Sequence, residues 1–266
     1  MISTRNHIYF ASDFHLGVPD EKSSLEREKR VVAWLESIKD KAREIYLMGD
    51  LFDFWFDYKT VVPKGFIRLL GKIAELSDAG IQIHLFPGNH DMWMFGYFEK
   101  ELNVTFHQDF YSFTAGNKNF LLHHGDGLGP GDHGYKFIKK VFANKGLQFL
   151  FKWLHPDVGI GIANFWSKQS SKKTRSKDAI YHGKEKEWLV SFCEEHLKKH
   201  PETDYYIFGH RHLPLDITLA NKRSRYINLG DWISHFTFAE FDGNDLRLMH
   251  FNASGQHEIA RGLASG

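Results

Sequence analysis

Five short apolar runs in this chain each end in polar residues of the kinds that bind metal ions, and this pattern restricts the fold more than any other feature. The runs are Ile8–Ser12, Ile45–Met48, Ile81–Phe86, Phe120–Leu122 and Tyr205–Phe208. Apolar runs of this length are typical of buried β-strands. Open α/β sheets build their sites just beyond the carboxyl ends of such strands, so the sequence predicts that the polar residues meet at one edge of a sheet.

The polar residues belong to five motifs along the chain. They are Asp13-Phe14-His15, Gly49-Asp50-Leu51-Phe52-Asp53, Gly88-Asn89-His90-Asp91, His123-His124-Gly125-Asp126 and Gly209-His210-Arg211-His212. Asp13 and His15 are two residues apart, so in extended chain both side chains can reach one ion. Gly-Asp and Gly-Asn-His-Asp alone are also good turn sequences, and Asp-x-His alone is common after a strand, whereas His-x-His is a stronger indication of metal binding. Their joint occurrence, always at a strand end, favours a shared site.

The motifs offer carboxylate and amide oxygens and imidazole nitrogens, without a thiolate. This donor set suits manganese or iron better than a structural zinc site, and manganese is our first expectation for a pair of divalent ions. Two such ions can hold a phosphate ester, share its developing charge and activate water. We expect His90, oriented by Asp91, to act on the leaving group. Asp53 either supports a ligand imidazole or is a helix or turn residue.

Length and composition agree with a single α/β enzyme domain. The chain has 266 residues with 42% hydrophobic content, enough for a substantial core. Its formal net charge of +1 gives no reason to expect nucleic-acid binding. The single cysteine fits a reducing compartment, and neither a membrane-spanning run nor a signal sequence is seen. We therefore expect a cytoplasmic protein.

Strand and helix patterns alternate along the first part of the chain, as in parallel crossover units. We predict a helix opened by the capping box Ser23-x-x-Glu26, a second helix over 63–79, and hairpins at 110–123 and 236–251. The expected fold is α/β, with two stacked mixed β-sheets flanked by helices. One domain would cover 1–252, and 253–266 would be a flexible tail.

The segment 131–180 differs in charge from the rest of the chain. It holds ten Lys or Arg against three Asp, of 34 basic and 33 acidic residues in the whole chain, which leaves 24 basic and 30 acidic residues elsewhere. It is also rich in aromatic residues at helical spacings. We expect a helical insertion that acts as a lid over an anionic, partly apolar substrate, or that lies on an anionic membrane surface. The alternative is that the aromatic residues only pack the insertion onto the core.

The five motifs resemble those of the calcineurin-like metallophosphoesterases, and the resemblance covers roughly residues 7 to 250. It implies that Asp13, His15 and His212 hold one metal and that Asn89, His124 and His210 hold the other. It also implies that Asp50 bridges the two metals. His124 is preferred to His123 because it directly precedes Gly125-Asp126.

Within that family the chain is similar to the diphosphatases of bacterial lipid A synthesis, which cleave UDP-2,3-diacylglucosamine. That similarity implies a nucleotide-lipid substrate, peripheral contact with the inner membrane, and substrate-binding roles for Asp132, Tyr135, Lys172, Lys173, Arg175 and Lys177. The chain departs from the enterobacterial members at His90, where they carry Arg, and around 228–232. A phosphodiesterase for another nucleotide substrate and a non-catalytic binding module are the rival hypotheses.

Overall fold

The structure is a computed structural model that describes residues 5–129, 133–163 and 180–259, without the side chains of 133–135, 137, 138 and 259. Twelve strands form two sheets in this part of the chain. The strands are β1 His7–Ala11, β2 Ala42–Leu47, β3 Gln82–Leu85, β4 Thr105–Phe106, β5 Tyr111–Ala115, β6 Lys118–Leu122, β7 Tyr205–Phe208, β8 Pro214–Thr218, β9 Arg225–Leu229, β10 Thr237–Phe241, β11 Leu246–Phe251 and β12 His257–Ile259.

Both sheets are mixed. The first has the strand order β12-β11-β10-β1-β2-β3-β4, and β1 to β4 run parallel to one another. The second has the order β5-β6-β7-β9-β8, in which β6, β7 and β9 are parallel. The prediction of two mixed sheets flanked by helices is therefore confirmed.

The helices lie on the outer faces of the sheets or in the insertion. They are α1 Glu21–Ile38, α2 Ile67–Asp78, α3 Tyr97–Leu102, α4 His133–Phe142, α5 Lys145–Lys152, α6 at 156–163 and α7 Trp188–Lys199, with a 3₁₀ turn at Lys184–Lys186. None of the described helices is long and apolar enough to cross a bilayer.

Three apolar layers follow from the alternation of side chains along the strands. In β1, Ile8 and Phe10 point between the two sheets, whereas Tyr9 points toward the helices. The outer face of the first sheet packs on α1 and α2, and the outer face of the second packs on α7. With both faces of each sheet buried, the carboxyl ends of the strands are left as the place for a polar site.

Three local expectations are corrected. Helix α1 begins two residues before Ser23, because the Asp20 side chain is the N-cap and accepts a hydrogen bond from the Ser23 N–H at 2.9 Å. Helix α2 begins at Ile67, because Phe66 has a left-handed φ of 56° that a helix cannot contain. The expected tail from 253 contains β12, which pairs with β11 through backbone hydrogen bonds.

The hairpin at 110–123 is confirmed by its turn. Gly116 and Asn117 both have positive φ, at 53° and 62°, which is the geometry of the two-residue turn that matches strand twist. The described parts of 131–180 contain the helices α4, α5 and α6, joined by short turns.

Helix α2 takes its N-terminal cap from α1. Phe66 offers no side-chain acceptor, and the buried Glu28 of α1 instead accepts hydrogen bonds from the N–H groups of Arg68 at 2.8 Å and Leu69 at 3.1 Å. We predict that Glu28→Ala lowers the free energy of unfolding by about 1–2 kcal/mol, since two backbone donors, one of them buried, lose their acceptor. Urea denaturation measures this effect. The exposed Glu26→Ala on the same helix is the control, and equal stability of the two variants would contradict the capping role.

Candidate metal centre

The five motifs meet where the two sheets adjoin. Asp13 and Asp50 follow strands of the first sheet, and His124 and His210 follow strands of the second. Two hydrogen bonds join these loops across the sheets. The backbone N–H of His210 donates to Asp13 Oδ2 at 3.1 Å, and His124 Nδ1 donates to the Met48 carbonyl at 2.8 Å. The prediction that the strand ends would bring these residues together is confirmed.

The first cluster of possible ligands consists of Asp13, His15, Asp50 and His212. The Nε2 atoms of His15 and His212 lie 3.1 Å apart. Asp13 Oδ1 is 3.3 Å from Nε2 of His212 and 3.7 Å from Nε2 of His15. These atoms converge on one point, as the lone pairs around a single cation would.

The second cluster consists of Asp50, His124 and His210, and Asn89 joins it. Asn89 Oδ1 is 2.9 Å from Nδ1 of His210 and 3.4 Å from Nε2 of His124. Asp50 Oδ2 lies 3.3 Å from Nε2 of His124 and 3.7 Å from Nε2 of His15 in the first cluster. Asp50 thus faces both clusters, as a bridging ligand must.

The two adjacent histidines point in different directions. His124 Nδ1 is held by the Met48 carbonyl, which leaves Nε2 turned toward Asp50. His123 accepts a hydrogen bond from the backbone N–H of Gly125 at 2.9 Å, and its ring stacks on Phe110 at 4.4 Å. His124, and not His123, therefore belongs to the cluster.

Burial and charge make this centre suitable for cations. Asp13 and Asp50 are 0% and 1% exposed, and Asp13 Oδ1 accepts no hydrogen bond from the described residues. Burial would raise the pKa of Asp50, but His124 and His90 oppose it and lower the pKa far below its usual range. Burying carboxylates is costly unless positive charge accompanies them.

The imidazoles of His124 and His212 supply that positive charge when no cation is bound. Burial alone would lower the pKa of His124, but Asp50, Asp13 and Asp126 raise it to about 10. The pKa of His212 is likewise raised to about 10 against the effect of burial, by Asp13 and Asp231. A divalent ion can take over this role and leave the imidazoles neutral, as metal ligands must be. The donor set and its charges therefore fit divalent metals.

Five of the seven possible ligands have backbone conformations that L-residues rarely adopt. Asp13, His15, Asp50, His210 and His212 have φ values of 57°, 44°, 53°, 67° and 53°. Left-handed backbone in residues with a Cβ is uncommon and tends to occur where the surroundings enforce it, often at functional sites. The loops are thus held in conformations that their sequences alone do not favour.

The glycines of the motifs allow the loops to approach one another closely. A Cβ on Gly88 would overlap the backbone and carboxylate of Asp50, and one on Gly209 would lie 2.6 Å from Asp13 Oδ2. A Cβ on Gly49 would lie 2.7 Å from His124 Nδ1. These contacts are shorter than any side chain tolerates, so glycine is required at each position.

Asp91 has a different place from the one predicted for it. Its carboxylate accepts hydrogen bonds from the N–H groups of Gly88 at 2.7 Å and Leu51 at 2.8 Å, and longer ones from Asp50 and Phe52 at 3.3 Å. The expectation that Asp91 orients His90 is wrong, because both of its oxygens bind the backbone of the two neighbouring loops. Asp91 instead fixes the loop that carries Asp50.

Asp53 and Asp231 lie behind the imidazoles. Asp53 Oδ1 is 3.6 Å from Nδ1 of both His15 and His90, and the Asp53 carbonyl is 3.2 Å from His90 Nδ1. This position favours the supporting role for Asp53.

Asp231 Oδ2 is 3.6 Å from Nδ1 of His212, while its Oδ1 accepts hydrogen bonds from three backbone N–H groups. Sequence reasoning missed Asp231, since nothing local links it to His212.

The residues expected to bind substrate are largely outside the described part of the chain. These are Asp132, Lys172, Lys173, Arg175 and Lys177; Tyr135 lies on α4, but its side chain is not described. The insertion nevertheless contacts the centre. Lys139 of α4 forms a 2.6 Å ion pair with the buried Asp126, which follows His124 in its motif.

The chain belongs to the calcineurin-like phosphoesterase family, whose model matches residues 7–214. With the clustered ligands, this makes it a metal-dependent phosphoesterase. It is 42% identical to a UDP-2,3-diacylglucosamine hydrolase of Porphyromonas gingivalis, over 92% of this chain and 97% of that protein. It is 28% identical to a protein of the same name from Haemophilus influenzae, over 86% of this chain and 92% of that one.

Among solved structures, the chain is similar to Yfce, a phosphoesterase from E. coli. The identity is 14%, the TM-score is 0.47, and the match covers 94% of this chain and 96% of that one.

We predict that Gly88→Ala removes the metals although residue 88 is not a ligand. The new Cβ would displace Asp50, and both clusters depend on that carboxylate. Metal content by elemental analysis is the measurement. Gly71→Ala is the control, because position 71 in α2 has open space around it and alanine favours helix there by about 1 kcal/mol. Full metal content in Gly88→Ala would contradict the steric argument.

Proposed function

We propose that this protein hydrolyses the pyrophosphate of UDP-2,3-diacylglucosamine to UMP and 2,3-diacylglucosamine 1-phosphate. One P–O bond breaks, and water supplies the hydroxyl of one phosphate and the proton of the other. The observation that carries the proposal is the 42% identity to a hydrolase of that name over nearly the full length of both chains. The assembly of all seven ligand positions in one buried centre supports it.

In this proposal Asp13, His15 and His212 hold one divalent ion, Asn89, His124 and His210 hold the other, and Asp50 binds both. Manganese suits these oxygen and nitrogen donors, and iron and zinc are the alternatives. Bound metals would polarise the phosphate oxygens and make water a stronger nucleophile.

His90 is the residue that we propose acts on the leaving group. Its ring lies 4.9 Å from that of His15, beside the first cluster. Its Nδ1 is 3.6 Å from Asp53 Oδ1, and its backbone N–H donates to Asp50 Oδ1 at 2.8 Å. Burial lowers the pKa of His90. With Nδ1 donating to the Asp53 carbonyl at 3.2 Å, Nε2 is the nitrogen that can reach an oxygen of the substrate.

The insertion would hold the rest of the substrate. We propose that Asp132, Tyr135 and the basic residues Lys172, Lys173, Arg175 and Lys177 line this part of the site. Lys139 and its ion pair with Asp126 keep α4 beside the metal centre. A diacylated substrate resides in a bilayer, so we also propose that the protein works in peripheral contact with the cytoplasmic face of the inner membrane.

We predict that His90→Ala keeps both metals while turnover falls by about 10²–10⁴-fold, the usual contribution of a positioned acid or base. Elemental analysis and steady-state kinetics on one preparation measure the two quantities. His15→Ala, a ligand variant, should lose both metal and activity. Loss of metal from His90→Ala would show that His90 is a ligand and would overturn the assigned role.

The substrate is tested with three compounds in manganese: UDP-2,3-diacylglucosamine, a cyclic nucleotide and an aryl phosphodiester. We expect kcat/KM to be highest for the nucleotide lipid. Charge reversal at Lys172, Lys173, Arg175 and Lys177 should weaken its turnover but spare the aryl ester, which lacks the nucleotide and lipid parts that we propose these residues bind. Charge reversal at Lys198 and Lys199, on α7, is the control. Preference for the cyclic nucleotide would refute the proposed substrate.

A further inference from the structure

Arg211, the residue between two of the proposed ligands, reaches the start of helix α7. His210 belongs to the second cluster and His212 to the first. The Arg211 side chain between them is buried and pairs with Glu187, which lies directly before α7. Arg211 is 8% exposed and Glu187 is 3% exposed. An ion pair is thus buried beside the loop that carries both imidazoles.

The two side chains are joined at two nitrogens. Arg211 Nε donates to both carboxylate oxygens of Glu187, to Oε1 at 3.0 Å and to Oε2 at 3.2 Å. Arg211 Nη2 donates to Oε2 at 3.2 Å. Contact through two nitrogens of a planar guanidinium fixes orientation as well as distance. The single ammonium nitrogen of a lysine cannot reproduce this geometry.

Stability alone does not account for this pair. Taking two charges out of water can cost more than their attraction returns, and a buried pair can often be replaced by apolar residues without loss of stability. Glu187 is also the N-cap residue of α7, a position whose side chain normally accepts an N–H of the helix. In the described structure its carboxylate makes no such bond. We therefore look for the role of the pair in the geometry of the parts that it joins.

The loop on the Arg211 side has an unfavourable backbone conformation. His210 and His212 have left-handed φ values of 67° and 53°. The backbone N–H of Arg211 donates to the Gly209 carbonyl at 2.8 Å and closes a tight turn. Residues with a Cβ keep such conformations only where the surroundings enforce them. This loop therefore depends on contacts from outside itself.

Helix α7 gives the pair a firm attachment. Its buried side chains pack on the second sheet in one apolar cluster with residues of β7. Trp188, which follows Glu187, lies with its ring 6.1 Å from that of His210. The start of α7 thus contacts the loop through two successive residues.

We propose that Arg211 is a positioning residue for both metals. Its bonds to Glu187 tie the loop to α7, so that the His210 imidazole stays at the second cluster and the His212 imidazole at the first. This inference rests on the proposed function for the assignment of these two histidines as ligands. Residues that hold ligands in place in this way change metal affinity by about 10–100-fold when they are mutated.

Manganese binding to the metal-free full chain, measured by isothermal titration calorimetry, tests this role without turnover. Arg211→Lys keeps the buried positive charge but cannot bond through two nitrogens. We expect this variant to bind manganese about 10–100-fold more weakly than the wild type. Full manganese affinity in Arg211→Lys would overturn the proposal.

A double variant separates positioning from stability. Arg211→Met/Glu187→Leu removes both charges and leaves neither one buried without its partner, so we expect resistance to urea close to that of the wild type. Its manganese affinity should still fall by about 10–100-fold. Wild-type affinity in a folded double variant would show that the pair is only structural. If the double variant does not fold, Arg211→Lys decides the question alone.

The matched control is the pair formed by Arg225 and Asp216 in the same sheet. Arg225 also donates through two nitrogens, from Nε to Asp216 Oδ1 at 3.0 Å and from Nη2 to Oδ2. It begins β9, and so lies at the end of the strand opposite the metal centre. Arg225→Met/Asp216→Leu should therefore leave manganese affinity unchanged. An equal loss of affinity in this control would contradict a specific role for Arg211.

Turnover keeps the two proposals separate. A wild-type protein that binds manganese but does not cleave UDP-2,3-diacylglucosamine would refute the proposed substrate and leave the role of Arg211 intact. Cleavage by the wild type, together with full manganese affinity in both Arg211 variants, would refute the positioning role alone.

Discussion

Two carboxylates buried at the junction of the sheets are the constraint on which the centre depends. Asp13 and Asp50 are almost fully inaccessible and lie among donors from both sheets. In an apolar interior two negative charges so placed are unstable unless positive charge lies between and beside them. His15, His124 and His212, whose pKa values are raised, provide it in the described structure, and two divalent ions would provide it more fully. The rest of the centre can be understood as the means of bringing these groups together.

Contacts with the backbone hold the ligand-bearing loops together. Asp91 binds N–H groups of the loops after β2 and β3 and so fixes their separation. Gly88 and Gly209 leave space for Asp50 and Asp13. The left-handed residues turn their side chains inward at an energetic cost of about 1–3 kcal/mol each, which the packed sheets on either side must offset.

The insertion is joined to the centre through the same loops. Phe54 and Trp93 follow residues of the metal-site motifs, and their rings contact Phe151 of α5. Lys139 of α4 pairs with Asp126 of the fourth motif. The sequence left open whether the aromatic residues of the insertion pack onto the core or lie exposed. The structure shows both. Phe151 of α5 packs on Phe56 and Trp93, whereas Trp153, just past the end of the same helix, faces solvent.

The sequence by itself determined the class of fold and the possible ligands. Short apolar runs predict the strands, and the polar residues that follow them are the possible metal ligands. It also favoured His124 over His123, which the geometry supports.

Only the tertiary structure decided how the supporting residues act. Asp91 binds neighbouring backbone instead of His90, Asp231 reaches His212 from a distant loop, and Glu28 caps a helix to which it does not belong. The reason is physical: strand and ligand patterns are local and repeat along the chain. A hydrogen bond between distant loops depends on where packing places those loops. No short stretch of sequence specifies their relative positions.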